Sequence, residues 1–166
     1  SRGLRYFKNR DAELDKWIEE KATEMNEKCD KILEKEDLTL SNFSASQIWS
    51  ALSYCDYVLG NKEKRIHSAT VAATRNEDDL DLWQEKADAE FDLEKYQDAF
   101  YSITKAMEID PNDEQNFWVM GKALRKLGNY ELALIWFDRL VEAGLRDGEI
   151  TKVVTNNYEK FILNDD

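Results

Sequence analysis

Apolar residues recur along this chain at intervals of three and four, with charged residues filling the positions between them. Over Tyr96, Ala99, Ile103 and Ala106 this is the period of one helix face, and Pro111 closes the run after Ile109 and Asp110. The same face returns at Tyr130, Ala133, Phe137 and Leu140, each 34 residues after its counterpart. Upstream, Trp83 and Phe117, Ala87 and Gly121, Ala89 and Ala123, and Leu93 and Leu127 keep that offset. The pattern predicts two helices per unit and a unit that repeats.

A first, degenerate copy is predicted over residues 46–79, because Trp49 and Leu59 stand 34 residues before Trp83 and Leu93. In its second helix Lys62 and Arg65 replace Tyr96 and Ala99, but Ala69, Ala72 and Ala73 keep the packing face small. Ser44 and Gln47 have the form of a capping box, which predicts a helix start ahead of Ile48 and Trp49. Units two and three follow over residues 80–113 and 114–147 without insertion. Asp110, Pro111 and Asn112 form the turn between them, where proline fixes φ and removes a donor no helix needs. Inside the third unit the turn is Gly128 and Asn129, whereas Glu94 and Lys95 occupy it in the second. Glycine is favoured there but not demanded.

Flanking segments complete the plan. Residues 1–45 form an N-terminal extension in which Leu14, Ile18, Ala22, Met25, Cys29 and Ile32 predict one long amphipathic helix from Asp11 to Lys35. Its stripe is narrow and must be buried, by packing onto the repeats or, alternatively, in a coiled-coil dimer whose heptads Glu and Lys interrupt. Before it, Arg2, Arg5 and Lys8 mix with Leu4, Tyr6 and Phe7, read either as part of an interface or as a lead-in. Over residues 148–166, Ile150, Val153, Val154, Tyr158, Phe161 and Ile162 predict a final amphipathic helix ahead of the acidic tail Asn164 to Asp166. A stack of helix pairs needs its last apolar face covered, and this helix is placed to cap it.

The spacing Trp83, Ala87, Tyr96, Ala99, Ile103, Ala106, Pro111, followed by Phe117, Gly121, Gly128, Tyr130, Ala133 and Phe137, resembles the tetratricopeptide repeat. That resemblance implies an all-α fold: a right-handed helical-repeat solenoid of three tandem helix pairs, whose first helices line a concave groove for peptides or partner proteins.

Composition agrees with a folded helical chain. Its 166 residues are 42% hydrophobic and 11% aromatic, with one proline and six glycines, which leaves few breakers for a sheet-rich fold. The net charge of −12, from 35 acidic against 23 basic residues, repels a phosphate backbone, so nucleic acid is not an expected partner. Cys29 and Cys55 have neither a disulfide-framework nor a zinc-site spacing, and free thiols fit the cytoplasm or another reducing compartment. No apolar run approaches the ~20 residues that cross a bilayer, and the first residues lack a secretory apolar segment. The chain opens on Ser1 rather than methionine, as a piece of a longer protein would.

Candidate chemistry changes the picture little. His67 is the single histidine, so any Ser/His/Asp or Cys/His arrangement depends on it alone, and its register puts it on the second helix of the first unit, which the repeat resemblance implies faces outward. Cys55 is in register with Ala89 and Ala123, the place of a small buried side chain rather than a reactive thiol. Glu77, Asp78, Asp79 and Asp81 lack the glycine and terminal glutamate of a calcium loop and suit a helix start instead. The expectation is a chain that is not an enzyme and takes no metal or cofactor.

What remains is a binding surface, and the repeat resemblance implies its residues. The groove-facing positions of the first helices give Gln47, Ser50, Tyr54, Tyr57 and Val58, then Asp81, Gln84, Asp88, Phe91 and Asp92, then Gln115, Trp118, Lys122, Arg125 and Lys126. Of these, Tyr54, Tyr57, Gln84, Asp88, Phe91, Asp92, Trp118, Lys122, Arg125 and Lys126 are the candidate partner-binding residues. Arg125 offers a planar fork for a carboxylate and Trp118 an apolar anchor. Equally, the three basic residues can pair with Asp88 and Asp92 across adjacent first helices, or contact the capping helix. Family members that clamp the acidic tails of heat-shock chaperones use basic and amide residues at one set position, which here reads Tyr54, Asp88 and Lys122. Asp88 would repel such a tail. The functional expectation is a scaffold or adaptor that binds a peptide or helix of a partner protein. The alternative is an assembly domain that docks a subunit, a second copy or the rest of its own chain through the N-terminal helix.

Overall fold

The computed structural model of the chain describes residues 12–36 and 39–143. The described residues form seven helices and no strand. They fall into two compact units divided between Asn76 and Glu77. The capping helix and acidic tail expected over residues 148–166, and the lead-in before Asp11, lie outside the described residues.

The first unit holds α1 (Ala12–Glu36), α2 (Asn42–Leu59) and α3 (Lys62–Arg75), with α2 packed against both others. The α2 helix starts earlier than Ser44 and Gln47 indicate. Ser41 is the N-cap, with extended backbone and an Oγ that accepts from the Ser44 amide at 3.1 Å, so the capping hydroxyl sits three residues before the expected one. Between α2 and α3 the contact is made by small side chains: Ala69, Ala72 and Ala73 are fully buried, as is Ser53.

The long N-terminal helix packs onto α2 through Cys29 and Leu33, which meet Leu52 with Ile48, Trp49 and Ala51 around it. Burial does not follow the whole six-residue stripe. Ala22 and Cys29 are buried and Leu33 joins them, whereas Leu14 and Met25 stay 47% and 46% exposed. Length accounts for part of this, since 25 residues of α1 span about 37 Å and 18 residues of α2 about 27 Å. Deeper in the same interface the buried Asp56 carboxylate accepts from Asn26 Nδ2 of α1 at 2.9 Å and from Asn61 Nδ2 at 3.3 Å.

The second unit holds α4 (Leu80–Asp92), α5 (Tyr96–Ile109), α6 (Glu114–Lys126) and α7 (Tyr130–Glu142). Helix α4 packs on α5, α5 on α6 and α6 on α7, and α4 also touches α6. Asp79 and Asp113 cap α4 and α6, each accepting from the amide two residues on at 3.0 Å. Ile103, Val119, Ala133 and Phe137 are fully buried, and Phe137 lies against Gly121. A Cβ at position 121 would come within 2.8 Å of two further atoms of that ring.

Three first helices end alike. Asn61, Lys95 and Asn129 donate their amides to Asp56, Glu90 and Leu124 five residues back, and the residue before each takes left-handed backbone. Those residues are Gly60, Glu94 and Gly128, with φ of 75°, 58° and 83°. At Glu94 a side chain bears a conformation that glycine adopts without cost.

Candidate functional site

Eight of the ten candidate residues lie in the second unit, on α4 and α6; Tyr54 and Tyr57 belong to the first. In the second unit Lys122 is the centre of the arrangement. Its Nζ stands 4.7 Å from the centroid of Phe91 and 5.3 Å from that of Trp118, so one ring from each helix flanks the ammonium. Burial pushes the Lys122 pKa below its usual value, and the carboxylates of Asp88 and Asp92 oppose that push. Trp118 is half-buried and continues inward, its ring 5.6 Å from that of Phe137.

One turn further along α6, Lys126 reaches within 5.8 Å of the Tyr96 ring, which meets Phe91 edge-on at 5.1 Å. The Arg125 charge acts on the Tyr96 hydroxyl, lowering a pKa that burial and Glu94 raise more. Gln84 is committed to architecture: its Nε2 donates to Asp113 Oδ1 and Asn116 Oδ1, both at 2.8 Å, and so holds the start of α6. Asn116 in turn donates to the Asp110 carbonyl at the end of α5. The surface that α4 and α6 share is therefore two aromatic rings around a desolvated lysine, acids on the α4 side and cationic groups toward the α6 C-terminus.

Tyr54 and Tyr57 are 66% and 53% exposed, their rings 6.3 Å apart, and the Arg65 guanidinium lies 4.6 Å over Tyr57. They border a cleft against α1, together with Trp17 and Met25. His67 is exposed on α3, with its ring edge 5.6 Å from Trp49.

Two features escape sequence reasoning. Trp17, 55% exposed on α1, falls off the expected stripe. Lys86, Glu90 and Ser102 form a buried network between α4 and α5: Lys86 Nζ lies 2.9 Å from Glu90 Oε1 and 2.7 Å from Ser102 Oγ, and Ser102 donates to Glu90 at 2.5 Å. The only sequence signal is a Lys and Glu four apart, which in a chain so rich in charge marks a solvated face as readily as a buried pair. Among the described residues no cluster of three or more His, Cys, Asp or Glu is arranged to hold a metal ion, and no helix is long and apolar enough to cross a membrane.

With this geometry in place, comparison with known proteins agrees with the repeat. The tetratricopeptide repeat model matches residues 115–143, which hold all of α7 and all but the first residue of α6. Among solved structures, an Arabidopsis OM64 TPR domain superposes with a TM-score of 0.65 at 24% identity, covering 72% of this chain and 98% of that one. The first TPR of Spaghetti (RPAP3), bound to an HSP90 peptide, matches with a TM-score of 0.65 at 17% identity, covering 72% and 95%. A TPR2B domain of yeast Sti1 in complex with an Hsp70 ligand matches at 0.64 and 18%, covering 70% and 95%. The described residues are an all-α helical-repeat module with the fold of these tetratricopeptide repeat domains. Human general transcription factor 3C polypeptide 3 is 23% identical over 113 residues, 68% of this chain, and the chain spans 12% of that relative's length.

Proposed function

We propose that the chain is a non-enzymatic interaction scaffold whose α4 and α6 surface binds a peptide segment or helix of a partner protein. The observation that carries this reading is the position of Lys122 between Phe91 and Trp118, which puts apolar ring surface and a fixed charge pattern on one face. Apolar contact at the rings supplies anchoring, while Asp88 and Asp92 on one side and Arg125 and Lys126 on the other set orientation. Because Lys122 is already attended by Asp88 and Asp92, an acidic tail is a poor ligand for it. A segment with an apolar anchor and mixed charge suits the face better. Two of the matched structures hold chaperone peptides, which supports a peptide-binding reading of this fold without transferring those ligands.

The test is a pull-down with the chain and with its Trp118→Ala/Lys122→Ala variant, followed by an alanine scan against whatever only the first retains. Loss of that partner on changing Trp118, Lys122 or Arg125 is expected. Retention through all three changes would remove this surface from the reading.

A further inference from the structure

The first unit contains a copy of this packing with one member absent among the described residues. In the second unit α6 is flanked by α5, whose last turn binds Asn116, and by α4, which lays Phe91 against Lys122. Two repeats earlier α2 occupies the place of α6, with Ile48, Leu52 and Cys55 standing for Asn116, Met120 and Ala123, all buried or half-buried. Helix α1 covers that face of α2, as α5 covers α6, because Cys29 and Leu33 pack on Leu52 and Ile48. No described helix of the first unit takes the part of α4. At the matching position is an open cleft of about 630 Å³ between α1 and α2.

Its walls are mostly apolar, with Trp17, Met25, Tyr54 and Tyr57 exposed and Ala22 and Cys55 buried at its base. Trp17, Ala22 and Met25 come from α1, and Tyr54, Tyr57 and Val58 from α2. Tyr54 stands where Lys122 stands in the second unit, yet it is 66% exposed while Lys122 is half-buried beside Phe91. A contiguous patch of this kind is a recognition surface more often than a solvated one.

We propose that this cleft seats an amphipathic helix of a partner protein, lying on α1 and α2 as α4 lies on α5 and α6. The small Ala22 and Cys55 let a backbone approach, and the adaptable Met25 with the three aromatic rings receives a large apolar side chain in the place of Phe91. Charge specifies the flank. The Arg65 guanidinium sits over Tyr57, while Lys21 at the cleft is paired with Glu24 at 2.9 Å, so the seated helix carries its acids toward Arg65, as Asp88 and Asp92 flank Phe91. The proposal does not rest on the reading of the α4 and α6 surface.

The probe is a fluorescein-labelled peptide copying residues 78–95 of this chain, which carries α4 with its caps, titrated with the whole chain and followed by anisotropy. A second form joins the same peptide to the N-terminus through a flexible linker, raising its local concentration to roughly the millimolar range, and is read as a rise in Tm. Binding should weaken about tenfold or more with Met25→Glu or Tyr54→Glu. Both residues are exposed, and circular dichroism verifies that the variants fold. Asp88→Asn/Asp92→Asn in the peptide should weaken binding severalfold at low salt. Failure of both forms to bind, or binding indifferent to Met25→Glu and Tyr54→Glu, overturns the proposal. A dimer in sedimentation velocity that Met25→Glu dissolves overturns it too, because the occupant is then a second copy.

Discussion

The third helix pair closes on a ring and the first on methyl groups. At the register position of the Gly121 and Phe137 contact, the pairs read Ser53 with Ala69, Ala87 with Ile103, and Gly121 with Phe137, all buried. As the first helix gives up volume the second gains it, and the Gly121 to Phe137 contact is the extreme. Interiors are packed like crystals, so a gain on one side requires a loss on the other. The middle pair adds a polar device that neither neighbour has, the Lys86, Glu90 and Ser102 network, whose equivalents are Leu52, Asp56 and Ser68 in the first pair and Met120, Leu124 and Trp136 in the third. The repeat thus specifies where contact falls and leaves its chemistry free.

Emptying the ring lock should have the largest effect. Phe137→Ala leaves a cavity beside Gly121, and urea unfolding should show a loss of about 3–5 kcal/mol. Overfilling the same contact comes next. Gly121→Ala drives a methyl into the Phe137 ring and should cost about 1–3 kcal/mol despite alanine's better helix propensity. The first pair should respond oppositely at the matching position. Ser53 Oγ is buried with no hydrogen-bond partner, so Ser53→Ala should stabilise by about 1 kcal/mol. If Ser53→Ala destabilised as much as Gly121→Ala, the contrast between the two pairs would be lost.

A turn comparison predicts a similar or smaller gain. Glu94 holds the left-handed position that Gly60 and Gly128 occupy elsewhere, and Glu94→Gly should raise stability by about 1 kcal/mol, whereas Gly128→Glu should lower it by a like amount.

Alkaline pH separates the two cysteines of the first unit from Lys122 of the second by sign. In the first, burial raises the Cys29 and Cys55 thiols, with like-charge effects from Asp30 and from Cys29 itself adding to each. The folded chain keeps those protons above 9.0 where the unfolded chain releases them, so their contribution is whole below 9.0 and falls as pH rises through the raised folded values. In the second, the lowered Lys122 value means that the unfolded chain binds more protons between that value and 10.5, so stability rises with pH through that window. Urea midpoints from pH 8 to 11 should therefore steepen upward in a Cys29→Ala/Cys55→Ala variant and flatten in Lys122→Met.

Much of the fold is legible in the sequence because a helix face announces itself by spacing. Tyr96, Ala99, Ile103 and Ala106, repeated at Tyr130, Ala133, Phe137 and Leu140, begin the two helices that the structure starts at Tyr96 and Tyr130. The start of α2 was less legible, since Ser41 and Ser44 are both competent caps and only the extended backbone at Ser41 decides between them. The stripe of α1 was half legible: periodicity marks Leu14 and Met25 as apolar, but how far a partner helix extends settles whether they are covered. The candidate surface divides similarly. That Lys122, Asp88 and Phe91 face a common side follows from register, whereas the position of the ammonium between two rings does not.

By itself, then, the sequence determined the helices, their pairing and the repeat, because these depend on local period and on a repeat length that counting reveals. Tertiary structure alone decided that Glu90 is buried beside Ser102, that Gln84 is spent holding α6, and that Trp17 and Tyr54 wall an open cleft. Burial of a polar group, and exposure of an apolar one, depend on which elements lie opposite, and no local period carries that information.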